Sequence, residues 1–573
     1  MQSADHVIAD RLAEASATLV QSTMDPEVRT ATKPEFGHFQ SNLPLRLGRA
    51  LGVAPARAAA DVLAVLDVSD ICLPPEIAGP GFLNFRLSPQ YLADYLTRIA
   101  DDPRLGVPQA VKPERIVLDY SGPNVAKVMH VAHLRSTVIG DALSRLLEFA
   151  GHQVIRQNHI GDWGTPFGML IEQLRDEHTT TTDLAALSAL YRRARARFDT
   201  EPEFADRARS RVVALQRGDE RTRADWRRLV ETSLDGFDDM YRHLGVALTK
   251  ADAVGESAYN DDLPVLAAEL DRLGLLTESA GAGCVFPPGF RGRDGRPLPV
   301  IIRKSDGGFG YSATDLAAIR HRVGTLDADR LIYVVGAPQA LHFDQVFAVA
   351  RQAGWLPAEV RAEHVTFGTV LDETGKPIKS RTGEAVPLQS LLQTAESAAA
   401  DLLAQRSTGD VAELAAMIGV GAVKYADLSA GRARDYVFAV DRLVALDGNT
   451  GPYLQYAHAR LCSLLRRAGE AAAESPATSA AALDDPAEVR LAFVLTRFPA
   501  AVTDTLETLE PHRLCGYLYQ LATAISTFYE RCPVLADTVP DTVRNQRLAL
   551  CTSAERTLKR GLDFLAIPAP GTM

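Results

Sequence analysis

The sequence predicts an α/β chain: a parallel sheet at its centre, a smaller α+β unit before it and an all-α unit after it. Three observations carry that reading. Residues 115–121, RIVLDYS, form an apolar strand run, followed by a turn at Gly122-Pro123-Asn124, a helix from about 131 to 150 and a second strand in HQVIRQNHIGDWG. Strand, helix and strand within about 45 residues make a βαβ unit, because parallel strands need a crossover connection. Further strand runs at LPVIIRK, RLIYVVGA and HVTFGTVL alternate with helical segments, so the parallel sheet is expected to continue to about residue 372. From about residue 388 onward helical periodicity dominates.

The elements follow in order. Residues 1–108 are expected to form the first unit. MQSADHVIADRLAEA reads as an amphipathic helix and lacks the apolar stretch of a signal peptide. FGHFQSNLPLRLGRALGVAPARAAADVLAVL gives a loop and two helices, and IAGPGFLNFRL gives a Gly-Pro turn and a short strand. DDPRLGVPQAVKPE is a Pro-rich linker. The sheet domain is expected over 115–388 with a helical insertion at about 175–250, then a helical junction at 389–450 and a last helical domain at 451–573. Between Tyr191 and Leu229 stand twelve Arg against seven Asp or Glu, which fits a solvated helical face or a surface turned to RNA.

Composition bounds the function. The chain has 573 residues, 61 Lys plus Arg against 72 Asp plus Glu, a formal charge of −11 and 46% hydrophobic residues. That is globular composition and excludes whole-chain disorder. No apolar run approaches the roughly 18 residues that span a bilayer. Six cysteines without a CxxC pair argue against a zinc ribbon or a disulfide framework and point to a reducing cytoplasm. Lys is scarce, 9 against 52 Arg, as in a GC-rich genome where Arg codons displace Lys codons. Retained lysines therefore draw attention, and Lys127, Lys376 and Lys379 fall in PNVAKVMHVAH and GKPIKSRTGE. Net negative charge does not exclude nucleic acid, because a local basic face suffices.

Ligands of parallel sheets bind at the C-terminal ends of the strands, which marks the loop at 121–133 as the expected site. His130 and His133, spaced i, i+3, share one face at the entry of the following helix. There, free N–H groups and the positive dipole end can meet a phosphate. Zinc is the rival ligand, but HxxH without a third ligand nearby is a weak metal pattern, and no metal site is expected. GKPIKSRTGEAVPL, at 375–388, is a Gly-bearing loop with Lys and Arg that suits a transient clamp on triphosphate charge. Tyr311 and Asp315, in GYSATDLAA, stand at i, i+4 on one helical face.

These segments together resemble a known family. SGPN, Ala-Lys, the two histidines and His133-Leu-Arg-Ser-Thr resemble the HIGH signature of class I aminoacyl-tRNA synthetases, and more narrowly the SPNxAKxxHxGHLRST pattern of the arginyl branch. The match continues through IGDALSRLLEFAGHQVIRQNHIGDWGTPFGML. IKSRTGE resembles a degenerate KMSKS loop, and LDGNTGPYLQYAHAR, FGHFQSN and IAGPGFLNF resemble other parts of that branch, so the likeness spans nearly the whole chain. It implies a Rossmann-like catalytic domain, an N-terminal domain that meets the tRNA elbow and a helical anticodon-binding domain. The activity it implies is ATP-dependent formation of arginyl-adenylate and transfer of arginine to the 2′-OH of the terminal adenosine of tRNA(Arg), with activation requiring bound tRNA.

The resemblance also implies site residues. His130, His133, Lys127, Lys379 and Arg381 would be catalytic, and His130, Ala132, His133, Lys376, Lys379, Ser380 and Arg381 would bind ATP, which brings Mg2+. Asn124 and His133 would hold the α-amino and carboxylate end of arginine, and Glu256, Tyr311, Asp315 and Gln339 the rest of it. Tyr453, Tyr456 and Arg460, with Phe82 and Asn84 of the first unit, would contact tRNA. Aromatics that stack on unpaired bases and cations that meet phosphates suit such a loop. A guanidinium, planar and permanently charged, calls for carboxylate acceptors in a fixed plane. A cytoplasmic monomer free of the membrane is expected. The chain departs from the family pattern at Ala132, where the family has Gly, and at Gly122 and Pro166. A degenerate or specialised paralogue with weak or no ligase activity is the alternative.

Overall fold

The computed structural model describes residues 3–178, 183–378, 386–404, 411–469 and 483–573. Its central sheet has five strands: β1 (Arg115–Asp119), β2 (Gln153–Ile160), β3 (Ala253–Gly255), β4 (Arg330–Gly336) and β5 (Arg361–Phe367). Their spatial order is β3-β2-β1-β4-β5, and every neighbouring pair is parallel. In β1 Ile116, Val117 and Leu118 are all buried, which is why the strand reads as an unbroken apolar run. Helix α1 (Val131–Phe149) carries the chain from β1 to β2. Three further helices bear on the site: α2 (Glu220–Leu244) in the insertion, α3 (Tyr311–Gly324) before β4, and α4 (Ala340–Gln352) between β4 and β5. The connections leaving β1 and β4 run to opposite sides of the sheet order, so a crevice opens between them at their C-terminal ends.

One strand expectation fails. Val300–Arg303, the core of LPVIIRK, is outside this sheet; it pairs antiparallel with Ala282–Val285, which pairs antiparallel with Thr277–Ser279. Val300 and Ile302 are buried while Ile301 and Arg303 are exposed, the alternation of a strand covered on one face only. The sheet is completed instead by β3, whose three residues are too few to show as an apolar run.

The first unit packs helices Ala4–Val20, Leu43–Leu51 and Pro55–Val65 with a four-stranded antiparallel sheet. In the insertion, Arg193 pairs with Glu177, Arg197 with Asp176 and Glu201, Arg207 with Glu172 and Asp176, and Arg211 with Glu172. Much of the Arg-rich surface is thus engaged with its own acidic neighbours, which favours the solvated-face reading.

From residue 388 on, the described residues are helical apart from connections and the strand Tyr436–Val437, which pairs with Val370–Leu371. Three of its helices matter here: α5 (Ala412–Ser429), α6 (Gly451–Ala468) and α7 (Asp541–Phe564). Helix α5 is the hub. Lys424 is fully buried, and its Nζ donates to the Leu244 carbonyl at the end of α2 (2.7 Å) and to the Ala566 carbonyl just past α7 (2.6 Å). One turn on, Asp427 meets Arg135 of α1 at 3.3 Å, both side chains at most 1% exposed, and Arg135 Nη1 also donates to the Arg434 carbonyl at 2.8 Å.

Removing one partner of a buried ion pair strands the other. Asp427→Ala is expected to lower stability by about 3–5 kcal/mol, read as a drop in the denaturation midpoint. A change within experimental error would show that Arg135 is satisfied without it.

Candidate active site

The loop between β1 and α1 is built against backbone preference. Ser121 and Ala126 have φ of 75° and 64°, left-handed values that side-chain-bearing residues rarely adopt. Their hydrogen bonds hold them there. The Ser121 N–H donates to Ser136 Oγ (2.8 Å), Ser121 Oγ and Tyr241 OH share a hydrogen bond (2.7 Å), and the Ala126 N–H donates to Ser233 Oγ (3.0 Å). Tyr241 and Ser233 both belong to α2, so the insertion braces the loop.

His130 is the N-cap of α1. The Ala132 N–H donates to His130 Nδ1 (3.3 Å), and the His130 N–H donates to His133 Nδ1 (3.1 Å). Each Nδ1 is therefore an acceptor, so the proton of each neutral ring sits on Nε2. Burial, then Lys127, lowers the His130 pKa; burial and His130 push His133 down to about 3. Both rings are neutral at pH 7, their centroids 4.0 Å apart, and offer two N–H donors beside the free amides of a helix N-terminus.

A cavity of about 1000 Å³ lies over the crevice between β1 and β4. Asn124, His130, Ala132 and His133 line one part of it, and Glu256, Tyr311, Asp315 and Gln339 another. Tyr311 is the first residue of α3 and Asp315 lies one turn on. The fully buried Arg322 anchors that helix, donating from Nη2 to Asp119 Oδ2 (2.7 Å) and from Nε to Gln157 Oε1 (2.6 Å). Gln339 caps α4 at the end of β4. Glu256 follows β3 directly. Its turn is held by buried Asp162, which accepts from the Ser257 N–H (2.8 Å) and Oγ–H (2.6 Å). Gly255 is required beside it, since a Cβ there would lie 2.1 Å from Asp162 Oδ2. Burial, reinforced by Asp162 and Asp315, pushes the Glu256 carboxyl up to about 7.

Other expected residues stand apart. Lys127 is not among the cavity-lining residues; its Nζ lies 4.8 Å from the Tyr191 ring centroid. Lys376 is exposed in a turn closed by Asp372, whose N–H donates to the Lys376 carbonyl (2.7 Å), while neighbouring Pro377 and Ile378 line the cavity. Lys379, Ser380 and Arg381 lie outside the described residues. Beyond them the Val131 N–H donates to the Val386 carbonyl (3.0 Å), so this segment returns to the start of α1.

On α6, Tyr453, Tyr456 and Arg460 are half-buried along one face. The Arg460 guanidinium lies 5.4 Å from the Tyr456 ring and 4.0 Å from that of Tyr529. His458 turns inward instead, with Nδ1 at 3.0 Å from the Pro570 carbonyl and Nε2 at 3.0 Å from Glu555. Phe82 is half-buried; Asn84 is buried and accepts from Gln40 Nε2 (2.8 Å).

Sequence reasoning passed over three contributors. Asp162 and Trp226 are linked, Trp226 Nε1 donating to the Asp162 carbonyl (2.8 Å), and His342 contacts Asp315. His342 stands three residues after Gln339, a helical spacing that was readable. Nothing local pairs Trp226 with a residue 64 positions away.

The five-stranded parallel sheet, with a cavity at the strand-order reversal and a histidine pair capping its first helix, defines a class I synthetase fold. The family model described as "tRNA synthetases class I (R), catalytic domain" matches residues 96–440, the "DALR anticodon binding domain" matches 454–573, and the "Arginyl tRNA synthetase N terminal domain" matches 2–87. The chain is 50% identical to the arginine–tRNA ligase of Cutibacterium acnes, covering 96% of this chain and 97% of that one. It is also 50% identical to that of Thermobifida fusca, over 96% and 95%. Among solved structures, the arginyl-tRNA synthetase of Plasmodium falciparum superposes with a TM-score of 0.84 at 28% identity, and that of Thermus thermophilus with 0.81 at 26%, each covering all of both chains. The chain belongs to the arginyl-tRNA synthetase family.

The Glu256 carboxyl gives a pH test. Only its ionised form accepts fully from a guanidinium, so a bound guanidinium favours proton loss below about pH 7. Arginine affinity is therefore expected to rise between about pH 6 and 8, measured by calorimetry or by the arginine KM. Glu256→Gln is expected to flatten that rise; an unaltered slope in the variant would assign the titration elsewhere.

Proposed function

We propose that this chain is an arginine–tRNA ligase: it joins L-arginine to tRNA(Arg) at the cost of ATP, through an arginyl-adenylate. One observation carries the reading. A phosphate-suited cradle of helix N-terminus and two neutral histidines shares one cavity with a slot lined by Glu256, Tyr311, Asp315 and Gln339. Adenylation needs both, because the arginine carboxylate must reach the α-phosphate while the guanidinium is held apart. Among the described residues no feature of the site supports the degenerate alternative.

In the first step a carboxylate oxygen of arginine attacks the α-phosphorus of ATP, which enters as its magnesium complex, and pyrophosphate leaves. The Nε2–H groups of His130 and His133 donate to phosphate oxygens as charge builds there. Being neutral, the two half-buried rings avoid the desolvation cost of two imidazolium ions. Lys376, Lys379, Ser380 and Arg381 act from the loop that returns to α1, and Lys127 acts from the side of the insertion. In the second step the 2′-OH of the terminal adenosine attacks the arginyl carbonyl, and AMP leaves. No covalent enzyme intermediate is involved.

Asn124 and His133 orient the α-amino and carboxylate end, and Asp315 and Glu256 accept from the guanidinium. Lysine would leave these acceptors mismatched, giving discrimination without editing. Tyr453, Tyr456 and Arg460 offer stacking and charge to an unpaired loop of tRNA, with Phe82 contributing from the first unit. Among the described residues no helix is long and apolar enough to cross a membrane. The enzyme acts as a cytoplasmic monomer, divided at 1–108, 115–388, 389–450 and 451–573.

A charging assay with ATP, arginine and tRNA tests the reading; arginine-dependent pyrophosphate exchange is expected only when tRNA is present, and failure to charge would refute it. Asp315→Ala is expected to raise the arginine KM about 10- to 100-fold, the worth of a charge-assisted hydrogen bond of about 1.5–3 kcal/mol, with little change in the KM for ATP. Equal changes in both would remove Asp315 from the guanidinium site. Ala132 is exposed on the cavity wall. Ala132→Gly is expected to leave the ATP KM unchanged or lower, since a glycine lets a ligand approach the backbone more closely; a marked rise would show that the methyl is itself a contact.

A further inference from the structure

His342 lies in the first turn of α4, inside the same cavity and absent from the roles given above. Its Nε2 is 2.6 Å from Asp315 Oδ2, and both side chains are largely shielded, 16% and 20% exposed. At that distance the imidazole must donate, since an ionised carboxylate has no proton to give. The ring is held in turn: the Tyr311 ring meets it edge-on at 5.0 Å between centroids, and Phe343 packs at 5.3 Å. Asp315 Oδ1 has no hydrogen-bond donor among the described residues.

The surroundings explain why Asp315 needs such a partner. It lines the same cavity as Glu256, whose carboxyl is raised by burial and then by Asp162 and Asp315. Unrestrained carboxylates in that setting would swing apart and toward water. A donor fixed on a separate helix prevents this for Asp315 and occupies only one of its oxygens.

We propose that His342 is the positioning residue of the guanidinium slot. It pins Asp315 by Oδ2, which leaves Oδ1 to meet the substrate while Glu256 approaches from another element. The guanidinium is then read from two directions by two acids, not by one acid in a two-pronged grip. This inference rests on the arginine-ligase reading, and the test separates the two.

Steady-state charging is measured for wild type, His342→Ala, His342→Gln, Asp315→Ala and the double variant His342→Ala/Asp315→Ala. His342→Ala is expected to raise the arginine KM roughly 10-fold, the low end for a charge-assisted hydrogen bond, with kcat and the ATP KM unchanged. His342→Gln, which keeps an N–H donor, is expected to recover most of the loss. In the double variant the alanine at 342 is expected to add nothing, because its effect runs through Asp315. Additive effects, a parallel fall in kcat, equal loss in the Gln and Ala variants, or an unchanged arginine KM would each overturn the proposal. A wild-type chain that does not charge tRNA with arginine would overturn the functional reading on which it stands. If His342→Ala does not fold, His342→Phe, which keeps a ring of similar bulk and removes the donor, and its double with Asp315→Ala take its place in the same additivity test.

Discussion

The reversal of strand order between β1 and β4 is the constraint on which the site depends. Two parallel neighbours whose following connections depart in opposite directions leave a gap at their C-terminal ends. Into it come the loop with the left-handed Ser121 and Ala126, the N-terminus of α1, and the turn that carries Gln339. With β1 and β4 connected to the same side, a helix would fill that gap, and the histidines and the acids would have no common space.

Buried charge fixes the elements around the gap. Arg322 ties α3, and with it Tyr311 and Asp315, to the end of β1 and the middle of β2. Arg135 ties α1 to α5, and Lys424 ties α5 to the ends of α2 and α7. Burial lowers the Lys424 ammonium to about 7 and raises the Asp427 carboxyl, so these contacts carry a desolvation cost. Such pairs contribute little net stability, yet their geometry admits few alternatives, and breaking one leaves an orphaned charge. Register between a sheet and distant helices is what they define. Through Lys424 the C-terminal helices are joined to the insertion, whose Ser233 and Tyr241 brace the signature loop, so the far half of the molecule bears on the site through packed, named contacts.

The two sides of the cavity use opposite electrostatic strategies. On the proposed reading the phosphate side presents neutral donors and a helix N-terminus, which carry a small desolvation cost. The guanidinium side presents carboxylates, of which Glu256 is held up first by burial and then by Asp162 and Asp315. The compensating positive charge in that proposal is the substrate's own. On that reading a neutral or misplaced side chain leaves the acids without a partner, which is a source of selectivity.

Much of this was readable along the chain. Continuous apolarity gave β1 and β4, the i, i+4 spacing put Tyr311 with Asp315, and the His130–His133 pair announced a helix entry able to hold an anion. Those are local properties, set by chemistry and periodicity within a turn or a strand. The misplacement of Val300–Arg303 and the silence of β3 come from the same limit: a four-residue apolar run does not say which sheet it joins, and three residues show no period at all. Which His proton points outward was decided by capping bonds, and which acid receives a partner by His342 arriving from another helix. Arg135 and Asp427, or Arg322 and Asp119, are 292 and 203 residues apart. Their pairing exists only because chain folding makes them neighbours and low dielectric makes neighbours matter, and no pattern of adjacent residues encodes it.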